Sequence, residues 1–408
     1  MRVLLVSAQA PDADGIGGVP VHLADSMLHA GSRVSLWAGH HRAGTLVVGE
    51  LGRQWRELGR FRARELSGAV QAALAAVGAE VLHVHSPELG PTALAAAARA
   101  NRVRCIATLH DVNAAGPASG PLLRACDRIV VPSSFMQRRV LEHHPGLEAR
   151  IRIVHWGVTP QARVVPGARG GPLRVAVVGV FHPDKGAHLL PELMRATAPL
   201  GIEWHLYGAT EGRSLSAVRR AAPRLLAHGA YRRSELGREL ARARIDVALL
   251  ASTVPEAFCL TLSECVAAAV PVVASDIGAL GERVRHERCG WLFDPTRPES
   301  LHELLFRLAD RAELCQLARE MTERVPRTPA EMALDLTRLY LELEPSGGVE
   351  RNLGPVALRT RRPPRSVRAL SALRHSKFYR DLPLRRVLPE TLRARVEERV
   401  RALARWLL

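Results

Sequence analysis

Lysine is nearly absent from this sequence, and so are several patterns that would place it in other classes of protein. Only Lys185 and Lys377 occur, although Lys and Arg together number 57. The six cysteines include no C-x-x-C pair, which argues against a structural zinc site and favours buried, reduced thiols. No stretch approaches about 18 consecutive apolar residues, and the opening MRVLLVSAQA is too short in apolar residues for a signal peptide. We therefore expect a cytoplasmic protein without a membrane span.

The basic residues are concentrated at one end of the chain. The 408 residues carry a formal net charge of +17, yet the segment 351–408 alone holds 16 basic residues against four acidic ones. Its last 17 residues, LRARVEERVRALARWLL, have apolar positions at three- and four-residue steps, which predicts a basic amphipathic helix. Two interpretations stay open, namely binding to an anionic membrane surface and packing against the body of the protein. Aromatic residues are few in this tail, so we do not expect nucleic-acid binding.

Short β-rich runs alternate with helical stretches on both sides of a Gly- and Pro-rich break, VVPGARGGP. This alternation predicts an α/β fold of two Rossmann-like, doubly wound domains that face a central cleft, followed by the basic helical tail. The predicted domains are 1–163 and 173–345, joined by a linker at 164–172 and followed by a tail at 346–408. The predicted strands are 2–7, 33–39, 81–86, 105–110, 128–133 and 151–157 in the first domain, and 174–181, 203–209, 246–252 and 271–276 in the second.

The segment PEAFCLTLSE at 255–264 has a carboxylate near each end of an otherwise apolar or hydroxylated run. We predict that Glu256 lies in a loop after a buried strand, and that Glu264 lies in the first turns of a helix opened by Thr261 and Ser263. A carboxylate accepts two hydrogen bonds and suits a vicinal diol, such as that of a sugar or a ribose. A helix N-terminus between the two acids suits a phosphate. The alternative is that both acids are ordinary surface and helix-start residues.

The same segment resembles the E-x7-E region of glycosyltransferase family four, whose members are retaining enzymes of GT-B fold that use nucleotide-sugar donors. The resemblance covers roughly residues 1–345, and the segments PDKG and TLSE look most like those of polysaccharide and O-antigen assembly members. It implies that Glu256 binds hydroxyls of the donor sugar and that Glu264 binds the nucleotide ribose. It further implies that backbone amides near the sugar and the diphosphate come from Ala257, Phe258, Cys259 and Leu260.

The segment GVFHPDKG at 179–186 departs from the family pattern G-R-L-x-x-x-K-G. Val180 replaces the arginine that, with the lysine, holds the donor diphosphate in that family. Lys185 remains, and a compact ammonium suits a phosphate oxygen. A chance surface lysine beside a turn is the alternative to this role.

Three further groups complete the predicted site. Gly17 and Gly18, in the turn GIGG after the first strand, allow close backbone approach to a diphosphate or an acceptor. His110 follows a strand, and the matching histidine of the family lies close to the donor sugar, although a hydrogen-bonded structural imidazole is the alternative. The loop at 229–231, including Tyr231, is predicted to contact the base. For His83 and His85 we expect packing roles.

These residues predict a glycosyltransferase that moves a sugar from a nucleotide-diphosphate sugar to a polysaccharide or glycolipid intermediate. Lys185 and helix N-termini would stabilise the charge of the leaving diphosphate. We expect no cofactor and no metal, because the sequence shows no clear cluster of metal-binding aspartates. The replacement of the arginine by Val180 motivates an alternative, a catalytically degenerate protein that acts as a partner in a glycan-assembly complex.

Overall fold

The computed structural model describes residues 2–7, 33–38, 45–51, 55–62, 66–85, 91–164, 171–209, 212–222 and 225–343. Within these ranges the chain forms two sheets, each with helices packed on it. Glycines 17 and 18, most of the predicted linker and the predicted tail lie outside the described residues.

The first sheet has the strand order β4-β3-β2-β1-β5-β6-β7-β8. Its pairings are parallel except for β2 with β3 and β3 with β4, which are antiparallel. The strands are β1 (Arg2–Ser7), β2 (Arg33–Ala38), β3 (Thr45–Leu51), β4 (Trp55–Arg62), β5 (Val81–Val84), β6 (Arg104–Thr108), β7 (Arg128–Val131) and β8 (Ile151–Ile153). The helices of this part are α1 (Leu66–Val77), α2 (Pro91–Asn101), α3 (Gly120–Ala125) and α4 (Ser134–His143).

The second sheet has the order β11-β10-β9-β12-β13-β14, and all of its pairings are parallel. The strands are β9 (Arg174–Val178), β10 (Glu203–Tyr207), β11 (Leu226–Gly229), β12 (Val247–Leu250), β13 (Val272–Ser275) and β14 (Gly290–Phe293). The helices after β9 are α5 (Leu190–Ala196), α6 (Gly212–Ala221), α7 (Leu236–Ala243), α8 (Leu260–Ala267), α9 (Gly278–Glu287), α10 (Pro298–Arg307), α11 (Ala312–Thr322) and α12 (Pro329–Leu341).

The central strands form where short hydrophobic runs can be covered on both faces. Every residue of β5 (VLHV), β12 (VALL) and β13 (VVAS) is buried, as parallel strands between two helical layers require. Because each such strand ends in a loop on the same edge of its sheet, polar residues that follow the strands are collected at that edge.

The last described helix, α12, packs on the first sheet although it follows the second in the chain. Met332, Leu336 and Tyr340 share a hydrophobic cluster with Val3 and Leu5 of β1. The helix is started by a capping box between Thr328 and Glu331. Gly157 passes so close to Thr328 that a Cβ there would lie 2.2 Å from its carbonyl carbon. The chain therefore crosses between the two sheets twice along neighbouring paths.

The predicted fold class is confirmed, since both sheets are predominantly parallel and covered by helices. Each of the ten predicted strands is present, usually one to four residues shorter at its carboxyl end. The sequence analysis did not predict the antiparallel strands β3 and β4 or the two edge strands of the second sheet, β11 and β14.

Candidate functional site

The loop between β12 and α8 carries the predicted acidic pair. Glu256 lies in this loop and Glu264 in the second turn of α8, as predicted. The expectation that Thr261 and Ser263 open the helix is wrong. The helix begins at Leu260, directly after Cys259, whose left-handed backbone (φ 66°, ψ 83°) turns the chain into it without a side-chain cap.

Lys185 lies against Glu256. It ends a 3₁₀ turn, Pro183–Lys185, and its Nζ is 2.9 Å from Oε1 of Glu256. The Ser252 hydroxyl donates a hydrogen bond to the same carboxylate oxygen. Burial alone would lower the pKa of Lys185, but the neighbouring Glu256 carboxylate, with smaller contributions from Cys259 and Asp184, leaves the pKa above its ordinary value. The ammonium is thus charged, and 42% of its side chain remains exposed.

The turn that presents Lys185 depends on Gly186. This glycine has φ 78°, and a Cβ on it would lie 2.1 Å from the carbonyl oxygen of Ala251, at the end of β12. The Asp184 carbonyl accepts a hydrogen bond of 2.9 Å from the Thr253 amide. Two backbone contacts therefore fix the lysine turn to the loop that carries Glu256.

Glu264 is almost fully buried, with 3% of its side chain exposed. The Tyr231 hydroxyl donates to its Oε2 at 3.3 Å, and Nε of Arg233 lies 3.6 Å from its Oε1. Burial raises the pKa of Glu264 to about 7, against the opposing effects of Arg233 and Tyr231. The structure thus brings Tyr231 to Glu264, and it adds Arg233, which the sequence analysis did not single out.

The backbone of Phe258 and Cys259 is held by Arg283 of α9, another residue that the sequence analysis missed. Nη1 of Arg283 donates to the carbonyl oxygens of Phe258 (2.8 Å) and Cys259 (3.0 Å), and Nη2 donates to the Ser263 hydroxyl (2.9 Å). The guanidinium carbon also lies 3.7 Å from the centre of the Phe258 ring. No local pattern in the sequence distinguishes Arg283 from the other arginines.

His110 belongs to a buried group of imidazoles. Its Nε2 lies 2.8 Å from Nδ1 of His85, and burial lowers the pKa of His110 to about 3, so the ring is neutral. His83 is hydrogen-bonded to Thr108 and to Tyr340 of α12, which fits the expected packing role. Among the described residues, Nδ1 of His110 has no hydrogen-bond partner.

A chain of rings connects His110 to the acidic loop. The His110 and Trp156 ring centres are 4.9 Å apart, and Trp156 and Phe258 are 5.0 Å apart. Ala257 touches the first domain directly, because the Ser133 hydroxyl donates to its carbonyl oxygen at 2.8 Å. The structure therefore brings His110, Ala257 and Phe258 to the contact between the two sheets.

Val180 follows β9 and is 59% exposed. The predicted site residues Gly17 and Gly18 lie outside the described ranges. The part of the chain that the structure describes holds no group of three His, Cys, Asp or Glu side chains arranged for a metal. Over the same ranges, no helix is long and apolar enough to cross a bilayer.

Two Rossmann-like sheets, joined by a crossing segment and a returning C-terminal helix, define the GT-B fold of glycosyltransferases. Family models agree with this class. Residues 158–325 match the model of glycosyl transferases group 1, and residues 13–162 match that of glycosyltransferase family 4. The chain thus carries a family 4 domain followed by a group 1 domain.

Several solved structures have a similar fold at low sequence identity. Sucrose-phosphate synthase from Thermosynechococcus elongatus has a TM-score of 0.60 and 17% identity, over 84% of this chain and 98% of that one. Anabaena Alr3699/HepE in complex with UDP and glucose has a TM-score of 0.60 and 15% identity, over 83% and 99%. The lipopolysaccharide outer core galactosyltransferase WaaB has a TM-score of 0.64 and 13% identity, over 84% and 100%. No curated protein matches the sequence.

Proposed function

We propose that this protein is a retaining glycosyltransferase that moves a sugar from a nucleotide-diphosphate sugar to a polysaccharide or lipid-linked glycan acceptor. The observation that carries the proposal is the grouping of Lys185, Glu256 and Glu264 around the N-terminus of α8. A sugar, a diphosphate and a ribose follow one another in such a donor. Along the chain the start of α8 lies between the two carboxylates, since Glu256 precedes the helix and Glu264 lies in its second turn. In this assignment Glu256 accepts hydrogen bonds from the sugar, and Glu264 accepts them from the ribose.

Departure of the nucleoside diphosphate is the step that needs most assistance. Lys185 and the backbone amides in the first turn of α8 stabilise the negative charge that develops on the diphosphate. The ammonium already makes one contact with Glu256. It has two further donors for phosphate oxygens. The departing phosphate takes the proton of the acceptor hydroxyl, so the protein needs no nucleophile of its own and no metal or cofactor.

His110 fits a position beside the donor sugar. A neutral imidazole both donates and accepts one hydrogen bond, and one nitrogen of His110 is occupied by His85. The other nitrogen, Nδ1, is buried and has no partner among the described residues, and we assign a hydroxyl of the sugar to it. We assign the base to Tyr231, whose hydroxyl donates to the carboxylate assigned to the ribose.

The comparisons support the donor and acceptor classes to different degrees. Anabaena Alr3699/HepE is described in complexes with UDP, with UDP and glucose, and with UDP-glucose, which supports a nucleotide-sugar donor. The lipopolysaccharide enzyme WaaB, of similar fold, supports a cell-envelope glycan as acceptor. The basic segment 351–408 supports action at the cytoplasmic membrane surface, where lipid-linked acceptors are found.

Thermal unfolding against a panel of nucleoside diphosphates and their sugars tests this proposal. A ligand at 100 times its dissociation constant stabilises by about 2.7 kcal/mol, which produces a measurable rise in Tm. We expect one nucleotide to raise the Tm of the wild type and not that of Glu264→Ala. Turnover that survives a chelator would support transfer without a metal, and its loss would end that part of the proposal.

A second function, that of a catalytically degenerate partner in a glycan-assembly complex, is favoured by one observation. Val180, exposed after β9, replaces the arginine of the family pattern and offers no charge to a diphosphate. Nucleotide binding without turnover, across donors and acceptors, would favour this second function. Measurable sugar transfer would exclude it.

A further inference from the structure

Cys259 has an unusual backbone for its residue type. Its φ of 66° is in the left-handed region, where a side chain with a Cβ is disfavoured and glycine is the common residue. The next residue, Leu260, begins α8, so the conformation of Cys259 sets the direction in which the helix N-terminus points. Such a conformation persists only where the surroundings hold it.

The side chain of Arg283 makes the contacts that hold Cys259 in this conformation. It donates to the carbonyl oxygens of Phe258 and Cys259, which belong to the two peptides that flank the left-handed residue, and it also donates to the Ser263 hydroxyl inside α8. The residue is only 6% exposed, and Glu287 balances its charge through a contact of 2.8 Å to Nε. One guanidinium thus connects the loop, the strained residue and the helix.

The helix that carries Arg283 holds the other end of the loop as well. The amide of Ala279, in the first turn of α9, donates to the carbonyl oxygen of Glu256 at 3.1 Å. Gly278 before it approaches the same loop, because a Cβ there would lie 3.0 Å from the Glu256 amide nitrogen. The residues from Glu256 to Cys259 are therefore supported from α9 at both ends.

We infer that Arg283 is a positioning residue for the donor diphosphate. It holds Cys259 in the left-handed conformation, and it thereby directs the backbone amides at the start of α8 toward the leaving group. This inference rests on the proposed function, since it gives those amides a nucleotide diphosphate as ligand. A planar guanidinium is needed because it donates in fixed directions to four acceptors, namely the Phe258 and Cys259 carbonyls, the Ser263 hydroxyl and the Glu287 carboxylate, and the ammonium of a lysine cannot reproduce this.

Two substitutions separate positioning from general stability. Arg283→Lys keeps the positive charge but removes the planar guanidinium with its several donors. We expect about tenfold weaker binding of the nucleoside diphosphate. Cys259→Gly removes the steric cost of the left-handed conformation, so the double variant should recover about fivefold of the lost affinity.

Arg324→Lys is the matched control. Arg324 donates to the carbonyl oxygens of Glu287 and Arg288 at the other end of α9, and Arg288 is also left-handed, with φ 47°. This variant loses a comparable contact far along the helix from the loop. We expect it to lower the Tm as Arg283→Lys does, while nucleotide affinity stays at the wild-type value.

Calorimetric titration with UDP, ADP and GDP gives the affinities, and scanning fluorimetry gives the Tm of each variant. If Arg283→Lys binds the nucleotide as tightly as the wild type does, the inference is wrong even though the proposed function stands. Equal losses of affinity in Arg283→Lys and Arg324→Lys, or no recovery with Cys259→Gly, would also overturn it. If the folded wild type binds none of the three nucleotides, the proposed function fails and takes the inference with it.

Discussion

Replacing Glu264 by Gln should change how the stability of the protein depends on pH. Burial raises the pKa of Glu264 from 4.5 to about 7. A carboxyl with a higher pKa in the folded protein than in the unfolded chain favours the folded state while it is protonated. That contribution is complete below pH 4.5 and is lost as the pH rises through about 7. The neutral amide of Gln has no such dependence.

The size of the effect follows from the two pKa values. Their separation corresponds to about 3 kcal/mol of unfolding free energy, at about 1.4 kcal/mol for each pH unit. Only 3% of the Glu264 side chain is exposed, so solvent screening takes little from this figure. For a domain of about 170 residues, 3 kcal/mol is equivalent to a Tm change of roughly 6–12 °C. The wild type should lose that much relative to Glu264→Gln between about pH 4.5 and 7.5.

The assay is the Tm of both proteins at half-unit steps of pH, without nucleotide. Subtracting one curve of Tm against pH from the other removes the contributions of the titrating groups that the two proteins share. A Tm difference between the two proteins that stays constant from pH 4.5 to 7.5 would refute the raised pKa of Glu264.

Ribose hydroxyls that donate to the Glu264 carboxylate should lower its pKa again, so nucleotide binding near pH 6.5 should release protons into the buffer. A binding heat that is independent of the buffer would refute Glu264 as the ribose ligand.

Three further outcomes are expected. Lys185→Ala should lower the rate of transfer by about 10²-fold or more, because one charge-stabilising donor is lost, and full activity would remove Lys185 from the mechanism. Gly186→Ala should lower the Tm by several degrees, since its Cβ would meet the Ala251 carbonyl oxygen at 2.1 Å; Gly201→Ala, with φ 61° and open space around it, should cost only about 1 kcal/mol. Deleting residues 351–408 should reduce binding to anionic vesicles in a salt-sensitive way, and unchanged binding would make that segment structural.

The sequence predicted those parts of the fold that depend on local hydrophobic runs. Strands such as β12 and β13 are uniformly apolar and buried on both faces, so their pattern is visible without the structure. The strands β3 (TLVVGEL) and β4 (WRELGRFR) contain glycines and charges and pair antiparallel at one edge, so the alternation of strands and helices does not include them.

In the candidate site, too, some features follow from the order of residues along the chain and others arise only from contacts between distant segments. The order along the chain predicted that Glu256 lies in a loop and Glu264 in the helix after it, because both positions follow from one buried strand. The Lys185–Glu256 contact joins residues on two different strand-to-helix connections, and it arises only when β9 and β12 pair as neighbours. Arg233 escapes prediction for a similar reason, since it precedes α7 and meets Glu264 on α8.

The contact between the two domains shows most directly why sequence pattern was insufficient. Glu282 and Arg283 are neighbours in α9 and look like an ordinary pair of opposite charges on a helix. Glu282 accepts a hydrogen bond of 2.9 Å from the Ser134 amide, 148 residues away at the start of α4, and another from Arg138 in that helix. Arg283 binds carbonyl oxygens 25 and 24 residues away. Because their partners are largely backbone groups, which every residue has, no residue type in the sequence marks either contact. Both contacts depend on the position of α9, which brings Glu282 to the first domain and Arg283 to the loop that carries Glu256.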